Sequence, residues 1–227
     1  DDGNGVTGDG CSATCRIETG AAGADEVVEA PGASGSGFGD PGRATNGVRG
    51  GGEGRQSLDV YSIPPGEHLA LGWSGRRLVD GPGVDLVVFE NPFRYGDGRV
   101  FMDPTVVEVS ADGERWVAFP HDYRAADETV YSARPRDWQG FAGVRPVLRH
   151  AEDDPVDPFD PALAGGDAFD LADLPDPALR RDGVRFVRLT AAADRTNPDT
   201  GAPFVRDPVS NGPDIDGVAA RYLVEAP

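Results

Sequence analysis

No stretch of eleven or more residues in this chain keeps a clean helical apolar period, which argues against any architecture built on long helices. Glycine and proline set that limit. They number 32 and 20 in 227 residues, and each either weakens a helix or supplies a turn. Between them lie short runs rich in β-branched and aromatic residues: "SLDVYSI" (57–63), "HLALGW" (68–73), "VDLVVFE" (84–90), "TVVEVS" (105–110), "RWVAF" (115–119), "VRFVRLTA" (184–191) and "GVAARYLVE" (217–225). The connections "PPGE", "DGPG", "ADGE" and "NGPD" are turn chemistry. "SADGERW" predicts a hairpin through a primed Asp-Gly turn, and "DAFDLADL" (167–174) is the best candidate for a short helix. The pattern predicts an all-β chain, an antiparallel β-sandwich of jelly-roll type with long irregular loops.

The hydrophobic fraction of 38% is enough for a sizeable core. A formal net charge of −18, from 39 acidic and 21 basic residues, argues against binding to nucleic-acid phosphates or an anionic membrane, both of which need clustered positive charge. It favours divalent cations. Every basic residue is arginine, so Schiff-base lysine chemistry and a P-loop lysine are excluded. No apolar run approaches the roughly 20 residues of a membrane-spanning helix, so no membrane insertion is expected.

Composition divides the chain into an Asp/Gly/Cys unit (1–18), a small-residue stretch that reads as a linker or edge strand (19–37), and the sandwich (38–227). The interval 120–183 is rich in Asp, Pro and Arg and poor in strand patterns. Loops of that length in compact domains tend to be functional, so a partner is expected there.

Through "SIPPGEHLALGWSGRRLVDGPGVDLVVFENPF" (62–93), "VVEVSADGERWVAFP" (106–120), "DAFDLADL", "VRFVRLT" and "GPDIDGVA" (212–219), the chain resembles a family of exported bacterial cell-surface domains. "VEVSADGERW" followed by "VRFVRL" is also similar to discoidin domains, which implies a galactose-binding-like jelly roll. Both resemblances imply extracellular recognition or adhesion without catalysis. "DDGNGVTGDGCSATCRIE" (1–18) resembles the latter half of the myxococcal cysteine-rich repeat, a disulfide-bonded module of secreted proteins, and is expected to be the edge of a longer surface protein. Cys11 and Cys15 can pair with each other if the chain turns. Free thiols remain the alternative. A metal or redox role is disfavoured, because no histidine lies near and C-x-x-x-C lacks the redox spacing.

The resemblance also bears on calcium, which wants six to eight oxygen ligands. Jelly-roll carbohydrate modules place a carboxylate at the start of the last strand, matching Asp216, with Asp214 two residues back; Asp40 and Thr45 match the discoidin loop that wraps the ion. Asx-turns at Asp40 and Asp214 are the alternative. Glu90 shares a strand face with Leu86 and Val88. If that face is core, its carboxylate needs calcium, a hydrogen bond or an arginine such as Arg188.

Aromatic residues in or near irregular segments, Tyr95, Tyr123, Tyr131, Trp138 and Phe141, are candidates for stacking on a sugar, with packing beneath the long loop as the competing role. Trp73 and Trp116 read as core. His68, His121 and His150 share no metal or catalytic spacing, and no nucleophile elbow is present. The expectation is a non-catalytic, calcium-stabilised recognition or adhesion module, secreted or surface-anchored, whose partner is a cell-surface or extracellular glycan or protein. A carbohydrate-binding module of a secreted hydrolase and a structural spacer are the alternatives.

Overall fold

The computed structural model describes residues 20–226; Cys11, Cys15 and the rest of the unit 1–18 lie outside them. Fifteen short strands follow in chain order. The first eight are β1 (Gly20–Gly23), β2 (Glu26–Glu29), β3 (Tyr61–Ser62), β4 (His68–Gly72), β5 (Arg76–Leu78), β6 (Leu86–Glu90), β7 (Phe93–Tyr95) and β8 (Arg99–Phe101). The rest are β9 (Thr105–Ser110), β10 (Val117–Ala118), β11 (Asp122–Tyr123), β12 (Trp138–Gln139), β13 (Asp167–Phe169), β14 (Phe186–Ala191) and β15 (Asp214–Glu225). Two short helices, α1 (Pro161–Ala164) and α2 (Pro177–Asp182), interrupt them. None of the described helices is long and apolar enough to cross a membrane.

The strands form an antiparallel β-sandwich. One sheet runs β1-β15-β6-β13, with β3 and β5 also paired to β15, and the other runs β10-β9-β14-β4-β2. Alternation along each strand sends one row of side chains between the sheets. Leu86 and Val88 of β6, Val107 and Val109 of β9, Leu69 and Leu71 of β4, and Val187 and Leu189 of β14 meet there. The stretch 19–37 supplies β1 and β2, an outer strand for each sheet.

A bulge divides the longest strand, β15. Ile215 pairs with Glu90 and Gly217 with Phe89, leaving Asp216 as the extra residue. Ile215, Val218 and Ala220 face the main core, so the inward register changes parity across the bulge.

The interval 120–183 is more ordered than its composition predicts. β11 pairs with β12, and Tyr123, Trp138, Phe141 and Val144 join Met102, Val106 and Phe204 in a second core. A third core covers the outer face of the first sheet, where Val87, Phe89 and Ala219 pack under Val147, Phe159 and Ala164. "DAFDLADL" does not form a helix across its length: residues 167–169 are β13, paired with β6, and only Leu171–Asp173 make a 3-10 turn. The longer helix is α2, started by Asp176, which accepts the amides of Ala178 and Leu179 ahead of a proline at the first position. The predicted hairpin exists as β9 and β10, joined by a longer loop in which Asp112 Oδ1 accepts the amides of Glu114 and Arg115 at 2.9 Å. Trp73 is core, whereas Trp116 is half-buried beneath the Arg188 guanidinium.

Leu71→Ala should lower stability by about 2–5 kcal/mol through the cavity it leaves. Gly212→Ala should also destabilise, because Gly212 has φ 117° and an added Cβ would lie 1.9 Å from the Ile63 carbonyl. Urea denaturation of both variants checks this.

Candidate functional site

At one rim of the sandwich, three elements bring carboxylates together. Glu90 ends β6 on its inward face, Asp103 precedes β9, and Asp214 opens β15. The Asp214 amide donates to Glu90 Oε1 at 2.9 Å. Ser62 donates to the Asp214 carboxylate and Ser210 to that of Asp103, while the Gly212 amide donates to Ser210 Oγ at 3.1 Å. Glu90 is 2% exposed, and its Oε2 is buried without a hydrogen-bond partner. Burial, reinforced by Asp103 and Asp214, pushes the Glu90 carboxyl well above the usual range. Burial likewise raises Asp103 to about 7 and raises Asp214. A buried acceptor without a donor is costly. Such a group is relieved by a proton or by a cation.

The five expected calcium ligands therefore do not converge on one point. Glu90 and Asp214 come together. Asp40 instead caps the 3-10 turn Pro41–Thr45, accepting the Gly42 amide at 3.0 Å, and Thr45 Oγ1 donates to the Gly42 carbonyl within that turn. Asp216, displaced by the bulge, accepts the Arg49 amide at 2.8 and 3.0 Å with its two oxygens. Nor does Arg188 pair with Glu90. It faces Glu108 across β9 and β14 in a two-pronged contact of 2.9 and 3.0 Å, which Arg195 joins. Asp103, Ser62 and Ser210 are new to the site.

A separate group, Asp80, Asp85 and Asp170, brings three carboxylate oxygens within 4.8 Å of one another. Backbone groups account for its centre. Asp85 accepts the Gly81 amide at 3.0 Å and the Leu171 amide at 2.7 Å, and Asp170 caps the following 3-10 turn through Ala172. This arrangement ties the turn before β6 to the turn after β13.

The candidate sugar-stacking aromatics are largely packing. Trp138 lies against Tyr123 with ring centroids 4.0 Å apart and meets Phe141 edge-on at 5.3 Å. Its indole N–H donates to the Ser132 carbonyl, while the Tyr123 and Tyr131 hydroxyls donate to the carbonyls of Val130 and Met102. Only Tyr95 is substantially exposed, with the Arg99 guanidinium 4.9 Å from its ring centroid.

Two open clefts of about 670 Å³ each lie nearby, the first against this packed aromatic block. The first has Phe119, Trp138, Phe141 and Phe169 in its wall and Asp167 at its edge. The second is walled by Arg94, Arg134, Arg136 and Arg145 among others, and Pro135, Arg136, Val144 and Arg145 form the ridge common to both. Asp167 is pushed up to about 7 by burial. One of its oxygens accepts the amides of Val144 and Arg145 at 3.0 and 3.4 Å, so it anchors the ridge.

The chain matches no known protein family and no curated protein.

Burial holds the Asp85 carboxyl at about 7 against the downward pull of its two amide donors. Between about pH 4 and 7 the folded form therefore keeps a proton that the unfolded chain releases, and this contribution to stability is lost as pH rises through 7. The urea midpoint should be higher at pH 5 than at pH 8 in calcium-free buffer. Asp85→Asn should reduce that difference, which matched titrations of the two proteins would measure.

Proposed function

We propose that this chain is a non-catalytic extracellular recognition or adhesion module, braced by calcium and contacting its partner through the ridge and clefts of the interval 120–165. The observation that carries the calcium reading is the orphaned Glu90 Oε2 amid Asp103 and Asp214. A hard dication would supply that oxygen's missing partner, and Ser62, Ser210 and nearby carbonyls offer further oxygens. The ion would link the ends of β6 and β15 to the segment before β9, and its role would be structural.

The recognition reading draws support from how the clefts are built. The wall of the first cleft is seated on an interlocked aromatic core, and the ridge it shares with the second includes Val144 of that core, so this part of the surface is held in shape before a partner arrives. Asp167 touches the first cleft but is committed to backbone amides, which favours holding the loop over acid chemistry. A carbohydrate-binding module is the second reading, favoured by the cleft dimensions.

Calcium at about a hundredfold excess over its dissociation constant should stabilise the fold by about 2.7 kcal/mol, a melting rise of roughly 5–10 °C for a chain of this size. A chelator should reverse it. Glu90→Gln should remove most of the calcium-dependent rise, whereas Asp80→Asn should leave it intact. A melting temperature unmoved by both calcium and chelator, with no calcium found by metal analysis, would sink the proposal.

A further inference from the structure

Resting on the recognition reading above, we infer that the second cleft is a binding site for an acidic polysaccharide, one whose sugars carry carboxylate or sulfate groups. The chain has 39 acidic residues against 21 basic ones. The walls of this cleft invert that ratio, with Arg94, Arg134, Arg136 and Arg145 against Glu53 and Asp97.

The inversion matters because these guanidinium groups are only loosely engaged. Arg94 stands 3.5 Å from Glu53, Arg136 stands 3.7 Å from Asp137, and Arg145 stands 3.9 Å from Asp167. Their side chains are 51%, 74% and 59% exposed, and Arg134 is exposed as well. Each guanidinium carries five N–H donors in a planar fork suited to a carboxylate or sulfate, and exposed pairs at such distances hold those donors weakly. An incoming anion can exchange with them at little cost.

Position strengthens the case. Arg136 belongs to the walls of both large clefts and of a third, shallower one that also contains Arg124 and Arg134. The arginines thus trace a track across the platform. Pro135 fixes the backbone between Arg134 and Arg136, and the amides of Val144 and Arg145 are anchored by the buried Asp167. The positive groups therefore sit on braced backbone.

A single polysaccharide strand suits this track better than the other polyanions. The −18 charge of the whole chain repels a nucleic-acid duplex or an anionic bilayer, each of which presents dense charge over an area much wider than one cleft. A strand with one charge per sugar can enter the cleft and keep the rest of its length away from the acidic surface.

The test is isothermal titration with tetragalacturonate, its fully methyl-esterified form, a sulfated dextran oligomer, neutral dextran and a single-stranded oligonucleotide, at 50 and 200 mM NaCl. The expected result is binding of the charged sugars that weakens with salt, and at least tenfold weaker binding of the ester and of dextran. The double variant Arg134→Ala/Arg136→Ala should lose at least tenfold in affinity for tetragalacturonate with an unchanged melting temperature. Asp97→Asn, which removes an opposing charge, should bind at least as well as the parent.

Ester and acid binding equally, charged-sugar binding that survives the double substitution, or tighter binding of the oligonucleotide would each overturn the inference. Binding of neutral dextran alone would also overturn it while leaving the recognition reading intact. Failure of every probe here, together with failure on broad glycan and protein arrays, would sink both.

Discussion

Backbone pairing along β15 is the constraint on which the rest of this structure depends. One twelve-residue strand serves β1, β3, β5 and β6, and several of these partners are too short to form a sheet among themselves. The same strand sets the chemistry at the rim. Its first residue brings Asp214 to Glu90, and its bulge moves Asp216 out of step so that its carboxylate reaches the Arg49 amide. Had the alternation continued unbroken, the inward row begun by Ile215 would have placed Val218 and Ala220 on the outside of the sheet.

The acidic surplus is only partly a surface property. Asp40, Asp160, Asp170 and Asp176 each cap a short helix or 3-10 turn by accepting an amide two residues on. Buried Asp85, Asp167 and Asp216 accept backbone amides from segments distant in sequence. In a chain so broken by glycine and proline, many amides lack a ladder partner, and a short carboxylate is an economical acceptor for them. This use of aspartate gives part of the acidic surplus a structural role without any ligand. It also sets Glu90 apart, because one of its oxygens has no such partner.

Much of this was legible in the residues, and the gaps have identifiable causes. β6 and β9 are buried along their whole length, so β6 appears as an apolar run ending in Glu90 and β9 as a valine-rich run interrupted by Glu108. β3, β5, β7, β8 and β11–β13 span only two or three residues each, too few to show a period. "DAFDLADL" misleads because its aspartates mark a strand end and a cap, while its apolar residues happen to fall at near-helical spacing. The inward face of Glu90 follows from strand alternation, but its meeting with Asp214 and Asp103 does not, since Asp214 lies 124 residues on and Ser210, the group that holds Asp103, lies 107 residues from it. The arginine track was hidden for a similar reason: residues 94, 134, 136 and 145 are scattered through a strongly acidic chain and meet only when the interval 120–165 folds over the β7–β8 hairpin.

Every partner of β15 precedes it in the chain. During synthesis from the amino end, β1, β3 and β5 must wait with open edges, and β6 has only β13 beside it, until residues 214–225 emerge. The second sheet can assemble as soon as β14 is made, whereas the first is completed by the last strand to arrive. Vectorial folding of this sandwich therefore sews a seam shut at β15, and the unsewn intermediate is the form most exposed to wrong neighbours.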